Sequence, residues 1–209
     1  MGRDVALQRL YNKNKKMLRE QDIPIWQAAQ PYLDVRSNDE HTLYSYAILK
    51  RLIEFTPEGE ADILLPAILL HDTGWKMIPA DKILHAFGPN NKYPELTRQH
   101  ELEGVAIAQQ ILSKLGYPSV LIEKITAIID GHDTTKVARS TNDALLKEAD
   151  KLWRYTPHGI NTIQGWFNIS ESEVLDILEN FVLPTFLTEN GLMMAKMMLS
   201  TARCKDYLK

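Results

Sequence analysis

Four of the six histidines in this 209-residue chain form an ordered series with two aspartates: His41, His71-Asp72, His100, His132 and Asp150. Neutral imidazole nitrogens and carboxylate oxygens are metal ligands. This mixture suits borderline first-row ions (Fe, Mn, Ni, Co or Zn) better than calcium or magnesium. Six protein ligands are too many for one open catalytic ion. Two divalent ions sharing a carboxylate and a water fit the set better. Such a pair can clamp a phosphoryl oxygen and lower the pKa of the bridging water, which yields a hydroxide nucleophile near neutral pH.

The elements that must position these residues are helices. Strand-type alternation is essentially absent, so the reading is all-α. Within each predicted helix, apolar residues recur at spacings of three and four, and the series lies on that stripe. His41 aligns with Tyr44, Ile48, Leu52 and Phe55. His71 follows Leu64 and Ile68, and Asp72 follows Leu65 and Leu69. His100 aligns with Gly104, Ile107 and Ile111, His132 follows Ile125, Ile128 and Ile129, and Asp150 lies among Leu146, Ala149 and Trp153. A single inward histidine usually means a hydrogen-bonded core residue. Six inward polar groups would each need a separate partner, and bound metal satisfies them together.

Helices are expected over Asp4–Arg19, from just after Asp22 with Pro24 in the first turn, and from a cap at Ser37, Asn38 or Asp39 to Phe55. Further helices are expected over Glu60–His71, Pro94–Leu115, Pro118–Asp130, Asn142–Tyr155 and about Ile160–Phe167. Ser170-x-x-Glu173 offers a capping box for a helix ending near Leu187, and a last helix starts near Gly191. The length supports one core. The expected organisation is a single domain over 1–209, with a metal-site core at about 37–156 and a helical extension over 157–209.

An apolar fraction of 44%, a charged fraction of 24% and a net charge of -3 describe an ordinary globular chain, with no sign of a nucleic-acid partner. No run approaches the length of a membrane span. Cys204 is the single cysteine, which excludes an intrachain disulfide, and the expected location is cytoplasmic.

The ordered pattern H…HD…H…H…D resembles the HD-domain superfamily of metal-dependent phosphohydrolases, in its dinuclear form. The match runs from His41 to Asp150. The resemblance implies an HD-like helical bundle in which His41, His71, Asp72 and Asp150 hold one ion, His100 and His132 hold a second, and Asp72 bridges them. The stretch His71-Asp72-Thr73-Gly74-Trp75-Lys76-Met77-Ile78-Pro79 also resembles the HDxGK…IP segment of HD-GYP phosphodiesterases, with one extra residue before the lysine. By that resemblance Lys76 contacts phosphate, and Asp72 and Lys76 form the catalytic set. The GYP signature is missing, and the short interval from His132 to Asp150 looks more like the small dinuclear hydrolases of nucleotides or dinucleoside polyphosphates.

The implied function is hydrolysis of a phosphoester or phosphoanhydride bond in a nucleotide or other small phosphorylated metabolite. The same ligand set resembles the di-iron site of myo-inositol oxygenase-like proteins, and a non-catalytic nucleotide-binding module is a further alternative. Asp133, Lys151 and Arg154 are candidate substrate contacts. Asp133 could instead orient an imidazole or cap a helix, and Tyr155 also lies beside Asp150. His85 and His158 fall in loop-like segments. The stretch containing Met193, Met194, Met197 and Met198 reads as core or as a dimer face, so self-association is compatible with the sequence.

Overall fold

The computed structural model describes residues 17–88 and 91–204. Every regular element among them is helical. The expected Asp4–Arg19 helix lies almost wholly outside these residues. The α-helices are α1 (Ile23–Ala29), α2 (Asn38–Glu54), α3 (Ala61–Leu70), α4 (Ala80–Ile83), α5 (Pro94–Lys114), α6 (Ser119–Ile129), α7 (Thr141–Trp153), α8 (Pro157–Phe167), α9 (Glu171–Ile177) and α10 (Glu189–Arg203).

Helix α3 lies at the centre because it is apolar on every side. All residues from Ile63 to Leu70 are buried, and α1, α2, α5, α6 and α7 pack around it. A helix with no polar stripe has no face to offer to water. Pro66 removes one backbone donor from α3, in a helix whose surroundings are packed tightly enough to hold its shape. Leu64, Ile68, Leu69 and Leu70 are completely buried. Truncating one of them to alanine is expected to cost about 2–5 kcal/mol.

Two glycines allow α5 to approach the turn after α3. A Cβ on Gly74 would lie 1.9 Å from the His100 carbonyl oxygen, and one on Gly104 would lie 3.0 Å from that of His71. Glycine at these two positions therefore lets the segments that carry His71 and His100 touch backbone to backbone.

Four of the ten α-helices among the described residues start on a side-chain cap. Ser140, Thr156 and Thr188 each accept a backbone N–H at the start of α7, α8 and α10. The capping box of Ser170 and Glu173 is fully formed. Ser37 precedes α2 but makes no cap bond; it is left-handed, with φ 61°. The C-terminal part departs further from expectation. The helix predicted to run from Ser170 towards Leu187 stops at Ile177, then continues as a π turn over Leu178–Val182 and a 3-10 turn over Leu183–Thr185. Pro184 supplies no N–H and restricts the residue before it, so an uninterrupted α-helix is not available there.

Buried carboxylates and hydroxyls tie the later elements to the core. Glu148 on α7 accepts hydrogen bonds from the N–H groups of Leu187 and Thr188 and from the Thr188 hydroxyl. The Tyr155 hydroxyl donates to the Leu178 carbonyl, which anchors the π turn. Met194 and Met198 pack against the core, whereas Met193 and Met197 are exposed. No helix of the described residues is long and apolar enough to cross a membrane.

Candidate metal centre

The six residues of the series come from five elements and meet at one place. His41 lies in the first turn of α2, and His71 closes α3 with Asp72 directly after it. His100 lies on α5, His132 follows the end of α6, and Asp150 lies on α7. All six are buried.

Their donor atoms form two neighbouring groups. In the first, His41 Nε2 lies 3.1 Å from His71 Nε2, 3.1 Å from Asp150 Oδ1 and 3.3 Å from Asp72 Oδ2. In the second, His100 Nε2 and His132 Nε2 are 3.3 Å apart. Asp72 Oδ1 faces both groups, at 3.6 Å from His71 Nε2, 3.7 Å from His100 Nε2 and 3.5 Å from His132 Nε2. Asp133 also faces the second group, its Oδ2 3.6 Å from His100 Nε2.

The donor set passes a direct test for metal. His71 and His132 each present Nδ1 to a backbone carbonyl, of Ile68 at 2.9 Å and Ile129 at 2.8 Å. A carbonyl only accepts, so Nδ1 carries the proton and, in the neutral ring, Nε2 is left as a lone pair aimed into the cluster. Each of these nitrogens faces the Nε2 of a second ring, His41 at 3.1 Å and His100 at 3.3 Å, so each pair must share either a proton or a cation. Ligands at about 2.0–2.2 Å around a tetrahedral ion stand about 3.4 Å apart, close to the observed spacings.

The electrostatics agree. Burial pushes His41 down and takes His100 to about 3, so both rings remain unprotonated. For His132, burial opposes the charge, but the carboxylates of Asp133, Asp72 and Asp150 outweigh it and raise the ring to about 10. A proton on His132 thus takes the place of positive charge in the metal-free cluster, and metal binding must displace it. Burial also disfavours ionised Asp72, yet His71, His132, Arg36 and His41 together hold it well below the usual carboxylate range. Asp150 is held low in the same way, against burial, chiefly by the Arg154 guanidinium, with the His41 and His71 rings facing the carboxylate.

The His132 segment is gripped from both sides by buried charges. Lys147 on α7 donates to the carbonyls of Gly131 (2.6 Å) and His132 (2.9 Å) and to the Thr135 hydroxyl (2.9 Å). Glu101 on α5 accepts from the N–H groups of Asp133 (2.9 Å) and Thr134 (2.8 Å). Gly131, with φ +74°, makes the reversal that the segment requires.

A cavity of about 470 Å³ opens over the cluster and is lined in part by His41, Asp72, Asp133 and Asp150. Two arginines enter it. Arg154 is held by Asp150, with Nη1 3.0 Å from the carbonyl and 3.1 Å from Oδ2. Arg36 comes from the left-handed turn before α2, with φ 43°. Its guanidinium donates to Asn38 Oδ1 at 3.0 Å and Asp72 Oδ2 at 3.4 Å, and lies 4.8, 4.4 and 5.2 Å from the rings of Trp75, Phe87 and Trp166.

Of the expected substrate contacts, Asp133 and Arg154 line the cavity, whereas Lys76 and Lys151 do not. The extra residue before Lys76 explains its position. Trp75 takes the inward direction and stacks on His100 at 4.0 Å, and Lys76 turns to the surface, where it pairs with Asp34 at 2.6 Å. Lys151 donates to the Thr185 carbonyl at 2.8 Å. Tyr155 is buried and committed to Leu178. His158 lies on α8, not in a loop, and bonds to Glu40 and Trp153. His85 is exposed and does not line the cavity.

Sequence reasoning missed Arg36, Asn38, Glu101 and Lys147. Arg36 and Asn38 carry no periodic signal. Glu101 does share a helical stripe with the buried Ala108 and Leu112, and a charge on such a stripe was the available clue.

The family model for the HD domain matches residues 38–154, which is more than half of the chain. The chain belongs to the HD-domain superfamily of metal-dependent phosphohydrolases. No curated protein and no solved structure gives a significant match. The matched span of this HD protein begins at Asn38 and ends at Arg154, so it encloses all six residues of the series. Its buried His and Asp groups are suited to holding metal.

Proposed function

We propose that this HD protein is a hydrolase of phosphoester or phosphoanhydride bonds in a small phosphorylated metabolite, using two divalent first-row ions. His41, His71, Asp72 and Asp150 hold the first ion. His100 and His132 hold the second, with Asp72 shared. The observation that carries this reading is the position of Asp72 between the two histidine groups, with Arg36 and Arg154 facing the same cavity.

When bound, the ions supply Lewis acidity towards a phosphoryl oxygen and make a water acidic enough to act as a nucleophile at neutral pH. The protein's own residues do the rest. Arg36 and Arg154 bring positive charge to the phosphoryl oxygens, and the planar guanidinium suits paired hydrogen bonds to phosphate. The rings around Arg36 restrict its head group, so little order is lost when substrate binds. Asp133 is 29% exposed on the cavity side and stands within reach of the second group. It accepts a proton or completes the ligand set. Trp75 and Trp153 pack on His100 and His41 and keep bulk water from behind the rings.

The test is release of phosphate from a panel of phosphorylated metabolites, using protein loaded in turn with Mn, Fe, Co and Ni. Turnover with at least one substrate class is expected. Oxygen consumption in place of phosphate release, in protein shown to hold metal, would overturn the proposal.

A further inference from the structure

The cavity over the metal cluster has two chemically different ends. Its floor is charged, with Arg36, Asp72, Asp133, Asp150 and Arg154. The remaining wall is contributed largely by α8, α9 and the π turn, and its side chains include Ile163, Trp166, Phe167, Ile177, Leu178 and Val182. Besides His41 of the metal cluster, the polar side chains Asn91 and Thr97 line the cavity among the described residues. Each is partly committed to the backbone, Asn91 Oδ1 accepting from the Tyr93 N–H and the Thr97 hydroxyl donating to the Ala86 carbonyl, and both lie outside the wall formed by α8, α9 and the π turn.

This division constrains the ligand. A volume of about 470 Å³ is well beyond the needs of inorganic phosphate and falls within the range of small organic ligands. A ribose or a base edge entering the far end would give up hydrogen bonds to water. Apart from the Trp166 indole N–H, that wall has no side-chain donor or acceptor among the described residues to replace them. A hydrocarbon group meets no such penalty and gains from leaving water. The wall is also built to last. The Tyr155 hydroxyl holds the π turn at Leu178, and Trp166 and Phe87 extend the apolar surface up to Arg36, with ring centroids 5.4 Å apart.

We infer that the substrate of this HD protein is a phosphoester whose organic part is an apolar alkyl or aryl group rather than a nucleoside. The inference rests on the phosphohydrolase reading for its anionic head group and on the far wall for its tail.

The test uses the full chain loaded with manganese. Binding of n-alkyl phosphonates from methyl to octyl, of phenyl phosphonate and of adenosine monophosphate is measured by calorimetry, and hydrolysis of the matching phosphate esters is measured separately. Affinity should rise by about fourfold per methylene until the cavity is filled. Adenosine monophosphate should bind more weakly than the hexyl compound. Phenyl tighter than hexyl assigns an aryl tail, the reverse assigns an alkyl tail, and either supports the inference. Val182→Asn should flatten the chain-length dependence and Val182→Leu should preserve it, with thermal melting used to check that each variant is folded. A flat alkyl series in the wild-type protein, or adenosine monophosphate as the tightest ligand, would overturn the inference. The two proposals fail separately. Chain-length-dependent binding without hydrolysis of any ester sinks the hydrolase reading alone, and hydrolysis of nucleotides with a flat alkyl series sinks this inference alone.

Discussion

Lys147→Met removes the clamp on the His132 segment and should weaken the second metal selectively. Lys147 is 2% exposed and makes three hydrogen bonds there, to Gly131, His132 and Thr135. Bonds to a charged donor contribute about 1.5–3 kcal/mol each, so the gross loss is about 5–9 kcal/mol. Several effects reduce it. Methionine keeps the apolar stem, burial already disfavours the ammonium, and the Gly131 carbonyl retains its bonds from Thr135. The His132 carbonyl loses the donor that Lys147 supplies, which leaves a net destabilisation of about 2–4 kcal/mol. Loss of a residue that orients a metal ligand typically lowers metal affinity by about 10–100-fold. The four-residue group of His41, His71, Asp72 and Asp150 does not touch Lys147 and should load normally. Titration calorimetry should therefore show one tight equivalent and a second weakened by about 10–100-fold. Urea melts of the metal-free variant give the stability change. Two equivalents of unchanged affinity, with unchanged stability, would refute the claim that this clamp positions His132.

Other consequences are equally direct. Asp72→Ala removes the carboxylate that faces both groups and should abolish metal retention and hydrolysis together, as read by elemental analysis and phosphate release. In metal-free protein, His100 is held at about 3 and His132 at about 10, against about 6.5 for unfolded histidine. The unfolded chain then binds more protons below 6.5 through His100, and the native chain binds more above 6.5 through His132. Stability should peak near pH 6.5 and fall on both sides, by about 1.4 kcal/mol per pH unit for each group, as tested by urea melts from pH 4 to 9. Gly74→Ala forces a methyl group into the His100 carbonyl and should cost about 1–3 kcal/mol or more, with loss of bound metal, measured by melting and elemental analysis. Arg36→Ala should lower kcat/KM by about 10–100-fold, the worth of one bond to a charged group, and Arg36→Lys should not restore it because lysine lacks the planar fork; full activity in the alanine variant would remove Arg36 from the site, and full activity in the lysine variant would refute the need for the planar fork.

The ligand series was legible because its residues are chemically unusual where they occur. Histidine and aspartate on apolar stripes cannot be solvated, and five helices with clear periodicity bring them inward. Buried α3 was legible for the same reason, since eight consecutive apolar positions leave no polar face. Of the two cations that line the cavity among the described residues, Arg154 was named from the sequence and Arg36 was not. Lys76 and Lys151 sit close in sequence to ligands, but sequence proximity does not set direction. Trp75 occupies the space on His100, and the 3-10 turn over Thr73–Met77 sends Lys76 outward. Arg36 has no motif, and its direction depends on two left-handed residues and on rings from three separate segments.

The sequence by itself determined which buried histidines and aspartates could serve as ligands and that helices carry them, because periodicity and the cost of burying polar groups act locally. Only the tertiary structure decided how the ligands divide into two groups around Asp72, which arginines accompany them, and that the cavity beyond is apolar. Those features depend on distances between segments far apart in the chain. They are set by close approaches such as Gly74 to α5, by the grip of Lys147 and Glu101 on one loop, and by a π turn that forms where Pro184 ends the preceding helix.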